Sequence, residues 1–451
     1  MLRSFALRMS NPGAIVILLR PDETVEESWF EIVYFLQGRA KIFPFDCPLI
    51  SNPHLLTILS HFWPSRLDVS RFPVERRLFP TEPGVSVLVE TQHPQGSPAG
   101  EVVLVHGLES SSAAGYMKSS AQAVLEAGFS AHRFNLRSCG GAPSKTGYHS
   151  GLTSDLLAYL RFLRSETRAP IFLVGFSLGG NVSLKLAGEL GGEGRELLAG
   201  VCAVSTPIDL SACVRRLEHP SNFIYHRRFV LRLKRRIRRL SPEIQGLNSI
   251  KTVREFDDRI TAPAFGFRDA EHYYTTQSCW QFFDEIRVPA LLIQAKDDPV
   301  IPFAVFERPG LFRNPNIRLL ASEHGGHLGF LSRRRPRFWL GSALVEWMRS
   351  LSNTPSRASR QPCAALTSMP CPTHTRNSGK ATGEVLMDHI SEDELDRYAA
   401  RSLPAARTAA VEEHLLICEF CQDRLDLTEE FIAALRAAVQ QRRRAAKKKD
   451  S

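Results

Sequence analysis

The stretch Ile171-Phe172-Leu173-Val174-Gly175-Phe176-Ser177-Leu178-Gly179-Gly180-Asn181 decides the fold of this chain. Its first four residues are apolar and half of them β-branched, the pattern of a buried strand. Residues 181–190 (NVSLKLAGEL) follow with a helical pattern. Between the two lies Gly175-x-Ser177-x-Gly179. A serine on a strained strand-to-helix turn needs small neighbours, because the backbone is crowded there. Gly175 and Gly179 supply them, and Gly180 extends the relief. The placement after a strand and before a helix, more than the pentapeptide itself, makes Ser177 the candidate nucleophile.

Working outward, short apolar and β-branched runs recur at 102–105, 130–134, 200–204, 290–294 and 317–321, separated by helical patterns. Such alternation predicts an α/β protein with a mostly parallel sheet flanked by helices. Residues 206–285 interrupt the rhythm; they are long, basic and aromatic, and predict a helical cap inserted between two strands.

A nucleophilic serine needs a base, and the base needs an orienter. On a sheet with this elbow the chain order is serine, acid, histidine. After the run ALLIQA come Lys296-Asp297-Asp298-Pro299-Val300-Ile301-Pro302. An acid just past the C-terminal end of a strand stands at the catalytic edge. Asp298 is the chosen acid, with Asp297 as its rival. After IRLLAS comes Glu323-His324-Gly325-Gly326-His327-Leu328-Gly329-Phe330. His327, preceded by two glycines, is the chosen base and His324 the alternative. An oxyanion hole requires backbone N–H groups. Leu178, next to the nucleophile, supplies one, and Leu108 in His106-Gly107-Leu108-Glu109 supplies the other. His106 is read as a brace for that loop.

These residues together resemble the YheT-like family of α/β-hydrolases, which includes bacterial esterases and eukaryotic abhydrolase-domain lipases. The likeness spans about residues 45–349. Asn52-Pro53-His54-Leu55 is similar to the family's N-terminal signature, and 106–112 (HGLESSS) to its oxyanion loop. Residues 135–140 (NLRSCG), 148–151 (YHSG) with Asp155, and 175–181 (GFSLGGN) resemble further blocks. So do 256–274 (FDDRITAPAFGFRDAEHYY) in the cap and 324–330 (HGGHLGF). Ser111 and Ser138 stand where the family often has glycine. The resemblance implies the α/β-hydrolase fold and hydrolysis of carboxylic esters, of short or medium acyl length or of lipids. Hydrolysis of this kind needs no metal or organic cofactor.

Composition sets the outer bounds. The chain has 451 residues, 43% hydrophobic and 23% charged, which excludes a wholly disordered protein and leaves room for a second domain. No run of about 18 apolar residues predicts a transmembrane helix. The apolar run at 14–19 is too short for a signal peptide. Nine cysteines, odd in number and scattered, argue against a disulfide framework and for a reducing, cytoplasmic setting. Lys and Arg number 57 against 47 acids, for a formal charge of +10. Eight of these cations lie in 227–239 (RRFVLRLKRRIRR) and six in 442–449, and without those fourteen the charge would be −4. Direct nucleic-acid binding is therefore not expected. The first run is read as a surface helix with snorkelling basic side chains. A sharper reading makes it a lid that touches anionic lipid and holds the protein peripherally at a membrane.

The expected organisation is an N-terminal extension (1–44), a hydrolase domain (45–351), a disordered linker rich in Ser, Thr and Pro (352–386), a small helical unit (387–440) and a basic tail (441–451). In the helical unit His414, Cys418 and Cys421 fall at i, i+4 and i+7, one face of a helix. His389 can supply a fourth donor, and two His with two Cys suit tetrahedral Zn²⁺. The spacing H-x₂₄-H-x₃-C-x₂-C and the surrounding HISEDELDRY and VEEHLLICEFCQDRL resemble the zinc-binding anti-sigma factor family. That resemblance implies a structural zinc and a sigma factor as partner. The leading expectation is thus a serine ester hydrolase. The alternatives are a zinc-dependent regulatory protein whose hydrolase domain binds without turnover, and an acyl transferase, which must exclude water.

Overall fold

The computed structural model describes residues 16–18, 52–62, 65, 67–333, 337–352 and 390–415, with isolated positions between 418 and 429. The expected linker from 353 onward, His389 and the basic tail 441–451 lie outside the described residues. The strands are β1 (Val16–Leu18), β2 (Glu75–Glu82), β3 (Val85–Gln92), β4 (Glu101–Val105), β5 (Ser130–Phe134), β6 (Ile171–Phe176), β7 (Gly200–Val204), β8 (Ala290–Ala295) and β9 (Ile317–Ser322). They form one sheet in the order β1-β9-β8-β7-β6-β4-β5-β3-β2. Strands β4 to β9 pair in parallel, while β1, β2 and β3 join antiparallel.

Each parallel strand expected from an apolar run is present. The runs are continuous because both faces are covered: Val103 and Val105 of β4 enter one core, Val102 and Leu104 the other. Strand β3 was not expected although Val85, Val87 and Val89 alternate inward along it, and two further strands carry no such signal. In β2 only Phe79 is buried, so edge exposure erases its periodicity. The three residues of β1 are too few for any period, yet they pair with β9 from within the expected extension.

The longer helices are α1 (Pro53–Phe62), α2 (Gly115–Glu126), α3 (Ser154–Glu166), α4 (Leu178–Leu190), α5 (Leu210–Leu217), α6 (Phe223–Leu240), α7 (Ala270–Gln277) and α8 (Trp339–Ser352), with α9 (Glu392–Ala399) and α10 (Ala405–Leu415) in the C-terminal unit. Helices α5 to α7 form the cap between β7 and β8. Ser391 and Glu394 close a capping box on α9, and Pro404 stands just before α10. A small core of Ile390, Leu395, Val411, Cys418 and Cys421 holds this unit, and α9 packs on α1. Among the described residues no helix is long and apolar enough to cross a membrane.

Candidate active site

Strand β6 ends at Phe176 and α4 begins at Leu178, so Ser177 bears the whole reversal with φ 51° and ψ −121°. A non-glycine residue at positive φ is strained, and here the strain lifts the hydroxyl above the sheet edge. Its own N–H is anchored on the Val204 carbonyl at 2.8 Å. A Cβ on Gly179 would collide with the carbonyls of Val105 and His106, which explains the glycine at that position.

Three predicted residues meet here. His327 Nε2 lies 3.0 Å from Ser177 Oγ, and His327 Nδ1 lies 2.9 Å from Asp298 Oδ2. The Asp298 side chain is fully buried, and its Oδ1 accepts the N–H groups of Val300 and Ile301 at 2.8 and 3.0 Å. Gln294 Nε2 donates to the other oxygen at 3.2 Å. The Asp-Pro-Val-Ile turn thus fixes the carboxylate before the histidine arrives. The two rivals pair with each other instead: Asp297 Oδ2 lies 3.1 Å from His324 Nδ1, and Asp297 Oδ1 accepts the Gly326 N–H at 2.9 Å. Burial raises the Asp297 carboxyl above its ordinary value.

The loop after β4 approaches the nucleophile closely; a Cβ on Gly107 would stand 3.0 Å from Ser177 Cβ. Leu108 and Leu178 both border the cleft above Ser177. Leu178 opens α4, so its N–H has no intrahelical acceptor. The N–H groups flanking Leu108 are held by tyrosine hydroxyls, Gly107 by Tyr116 at 3.0 Å and Glu109 by Tyr148 at 2.8 Å. His106 is wholly buried and accepts the Leu136 N–H at Nε2 (3.1 Å) while its Nδ1 faces the Gly107 carbonyl (2.8 Å). It braces the loop and does not face the serine.

Several supports escaped sequence reasoning. Thr57 Oγ1 of α1 accepts the His327 N–H at 2.9 Å, so the segment after Asn52-Pro53 holds the histidine turn. Asn181 donates to the Ser150 and Gln277 carbonyls and accepts the Cys279 N–H, tying α4 to the cap. Arg236 of α6 forms a buried 2.8 Å ion pair with Glu109, and Arg232 donates to the Glu109 carbonyl at 2.9 Å. Arg228, Arg232 and Arg236 repeat every four residues, so one face of α6 carries them. The basic run is therefore only partly a solvated surface: Lys234 and Arg236 are buried, and this face looks at the oxyanion loop and the cleft.

The cleft has two branches that meet at Ser177 and His327. One, about 80 Å³, is walled by Leu210, Val214, Leu217, Phe229 and Leu233 of the cap. His149 and Asp257 line it as well. Burial pushes His149 down to about 3 and Asp257 up to about 6. Asp257 accepts hydrogen bonds from Tyr274 (2.6 Å) and Thr261 (2.7 Å). The other branch, about 150 Å³, is also largely apolar, but its wall includes the basic side chains of His61, Arg228 and Arg232.

In the C-terminal unit the donor atoms of His414, Cys418 and Cys421 lie within 4.8 Å of one another. Two thiols and an imidazole on this spacing form a donor set suited to zinc. Burial pushes the Cys421 thiol up to about 11. His389 is outside the described residues.

An elbow serine on a mostly parallel sheet, facing a histidine and an acid from later strands, defines the class of α/β-hydrolases. Residues 102–338 match the alpha/beta hydrolase family, and the chain belongs to it. It is 34% identical to YheT of Escherichia coli K12, named a candidate esterase, over 66% of this chain and 90% of the relative. It is 28% identical to a monoacylglycerol lipase of Saccharomyces cerevisiae over 55% of this chain and 58% of that protein. It is 26% identical to the phospholipase ABHD3 of Mus musculus over 64% of this chain and 76% of that protein.

Proposed function

We propose that this hydrolase cleaves carboxylic esters through Ser177, His327 and Asp298 by way of an acyl-enzyme. The observation that carries the reading is the unbroken line of hydrogen bonds from Ser177 Oγ through His327 to the buried Asp298. His327 Nε2 takes the serine proton as Oγ attacks the ester carbonyl. The N–H groups of Leu108 and Leu178 receive the developing oxyanion. Asp298 keeps the Nδ1–H tautomer and stabilises the imidazolium. The imidazolium returns the proton to the leaving alcohol as the C–O bond breaks. Water, deprotonated by the same histidine, then attacks the acyl-enzyme, releasing the acid and restoring Ser177.

The apolar branch is the acyl pocket in this reading. Its 80 Å³ is less than the ~150 Å³ of a cavity that takes a benzene ring, which favours short acyl chains. Relatives named as an esterase, a monoacylglycerol lipase and a phospholipase support the reaction type. His414, Cys418 and Cys421, with His389 as the fourth donor, are proposed to hold a structural Zn²⁺ that stabilises the small C-terminal unit. No step of hydrolysis passes through it.

The test is a burst assay with p-nitrophenyl esters of graded chain length on the full chain, wild type against Ser177→Ala. We expect a burst of nitrophenol from wild type, falling as the acyl chain lengthens, and its loss in Ser177→Ala. Equal rates in the two proteins would overturn the reading.

A further inference from the structure

Two basic side chains in the wall of the second branch, His61 and Arg228, also meet a carboxylate of the C-terminal unit. That carboxylate is Asp396 of α9, whose Oδ2 lies 2.5 Å from His61 Nε2 and 3.7 Å from Arg228 Nη2. Thr428 Oγ1 donates to Asp396 Oδ1 at 2.8 Å, orienting the carboxylate. The Asp396 side chain is 1% exposed and that of Arg228 11%. Two basic side chains that border the same cavity as Ser177 and His327, themselves 3.3 Å apart, thus converge on one buried carboxylate. Arg232, one turn along α6, borders that cavity too, and with His61 and Arg228 it holds the Asp396 carboxyl far below the usual carboxylate range.

A largely buried guanidinium beside an imidazole is costly to leave without an anion. The neighbouring Arg236 already has its own, Glu109. The cap cation that lines the apolar branch, Arg236, is the one paired with Glu109, so that branch suits the acyl part of an ester and the side of His61 and Arg228 suits its alcohol part.

We infer that His61, Arg228 and Arg232 form a subsite for an anionic group, phosphate or carboxylate, on the alcohol side of the ester, and that Asp396 occupies it as an internal competitor. The C-terminal unit then limits access by anionic esters while neutral short esters still reach Ser177. The substrate half of this inference rests on the ester-hydrolase reading above; the anion site does not. An anionic ligand must displace Asp396, so its apparent affinity is reduced by the fraction of molecules in which the carboxylate is seated.

The experiment is calorimetric binding of sn-glycerol 3-phosphate, inorganic phosphate and glycerol to full-length Ser177→Ala, with and without Asp396→Asn. Asp396→Asn is expected to bind glycerol 3-phosphate at least about tenfold more tightly, and Thr428→Val, which only loosens the carboxylate, to give a smaller gain in the same direction. Adding Arg228→Ala and Arg232→Ala to Asp396→Asn should abolish that binding. Equal affinity with and without Asp396→Asn and Thr428→Val, or binding that survives loss of both arginines, overturns the subsite. Phosphate binding as tightly as glycerol 3-phosphate overturns the substrate half, because the alcohol portion then contributes nothing. In the catalytic arm, Asp396→Asn should raise kcat/KM for 1-butanoyl-glycerol 3-phosphate over 1-butanoyl-glycerol by a similar factor. Failure of wild type to cleave either ester sinks the hydrolase reading and leaves the calorimetric comparison standing.

Discussion

At the scale of single residues, two adjacent aspartates take wholly different partners. Asp298 receives His327, two backbone N–H groups and Gln294; Asp297 receives His324 and Gly326. Asp298→Asn keeps the shape but turns an amide or its oxygen toward the imidazole, and three fixed donors compete for the remaining acceptor. The tautomer that leaves Nε2 free to accept the serine proton is then lost. We expect kcat to fall by about 10⁴ in Asp298→Asn, the size of effect that tautomer control carries in such triads. Asp297→Asn should change kcat only several-fold, since neither of its oxygens touches His327. The measurement is kcat on p-nitrophenyl butanoate for both variants; a larger loss in Asp297→Asn would move the acid to that position. The Asp-Pro-Val-Ile-Pro turn was the signal in the sequence for preferring Asp298; the Val300 and Ile301 N–H groups that hold its carboxylate are visible only in the fold. Thr57 was not legible: it lies 270 positions before His327, and only the fold brings its hydroxyl to that N–H.

At the scale of elements, the central strands were legible because burial on both faces leaves continuous apolar runs. The edge strands were not, since β2 buries little. Helix α6 was legible as an element but not in its orientation. Its composition, basic and without acids, matches a solvated helix; the partners of Arg236 and Arg232 are on the oxyanion loop, more than a hundred residues away. Glu109 is one of the strained non-glycine residues, with φ 51°. The ion pair with Arg236 and the two hydrogen bonds with Tyr148 hold it there. Breaking a buried pair by removing one partner costs about 3–5 kcal/mol, because the other charge is left without compensation. Arg236→Ala should therefore destabilise by roughly that amount, and should lower kcat by freeing the loop that carries Leu108. Arg236→Met with Glu109→Gln removes both charges and should recover most of the stability but not all of kcat. Denaturant midpoints and kcat for the single and double variants check this; full recovery of kcat would mean that the pair does not position the loop.

At the scale of the whole molecule, the chain joins a large hydrolase to a small unit with a slight apolar core among its described residues. The core of that unit comprises Ile390, Leu395, Val411, Cys418 and Cys421, so two of its buried side chains are thiols. Units of this size usually need a staple, either disulfides or a metal. The two thiols lie beside His414 within a span that suits one ion. Burial, with Cys418 beside it, pushes the Cys421 thiol up to about 11, so it is protonated at neutral pH. Binding of a metal must expel that proton, so metal affinity should rise with pH and metal loss should be favoured by acid. Through α9, the fold of this unit also decides whether Asp396 stays seated against His61 and Arg228. We therefore expect one zinc per chain by elemental analysis, lost in a Cys418→Ser, Cys421→Ser variant. Chelation should remove hydrogen-exchange protection from 390–415 while leaving β6 and α4 protected. The same treatment should strengthen glycerol 3-phosphate binding, as Asp396→Asn does, because an unfolded unit no longer presents its carboxylate. Protection of 390–415 that survives complete removal of zinc would show that apolar packing alone holds the unit, and would separate its docking from any metal.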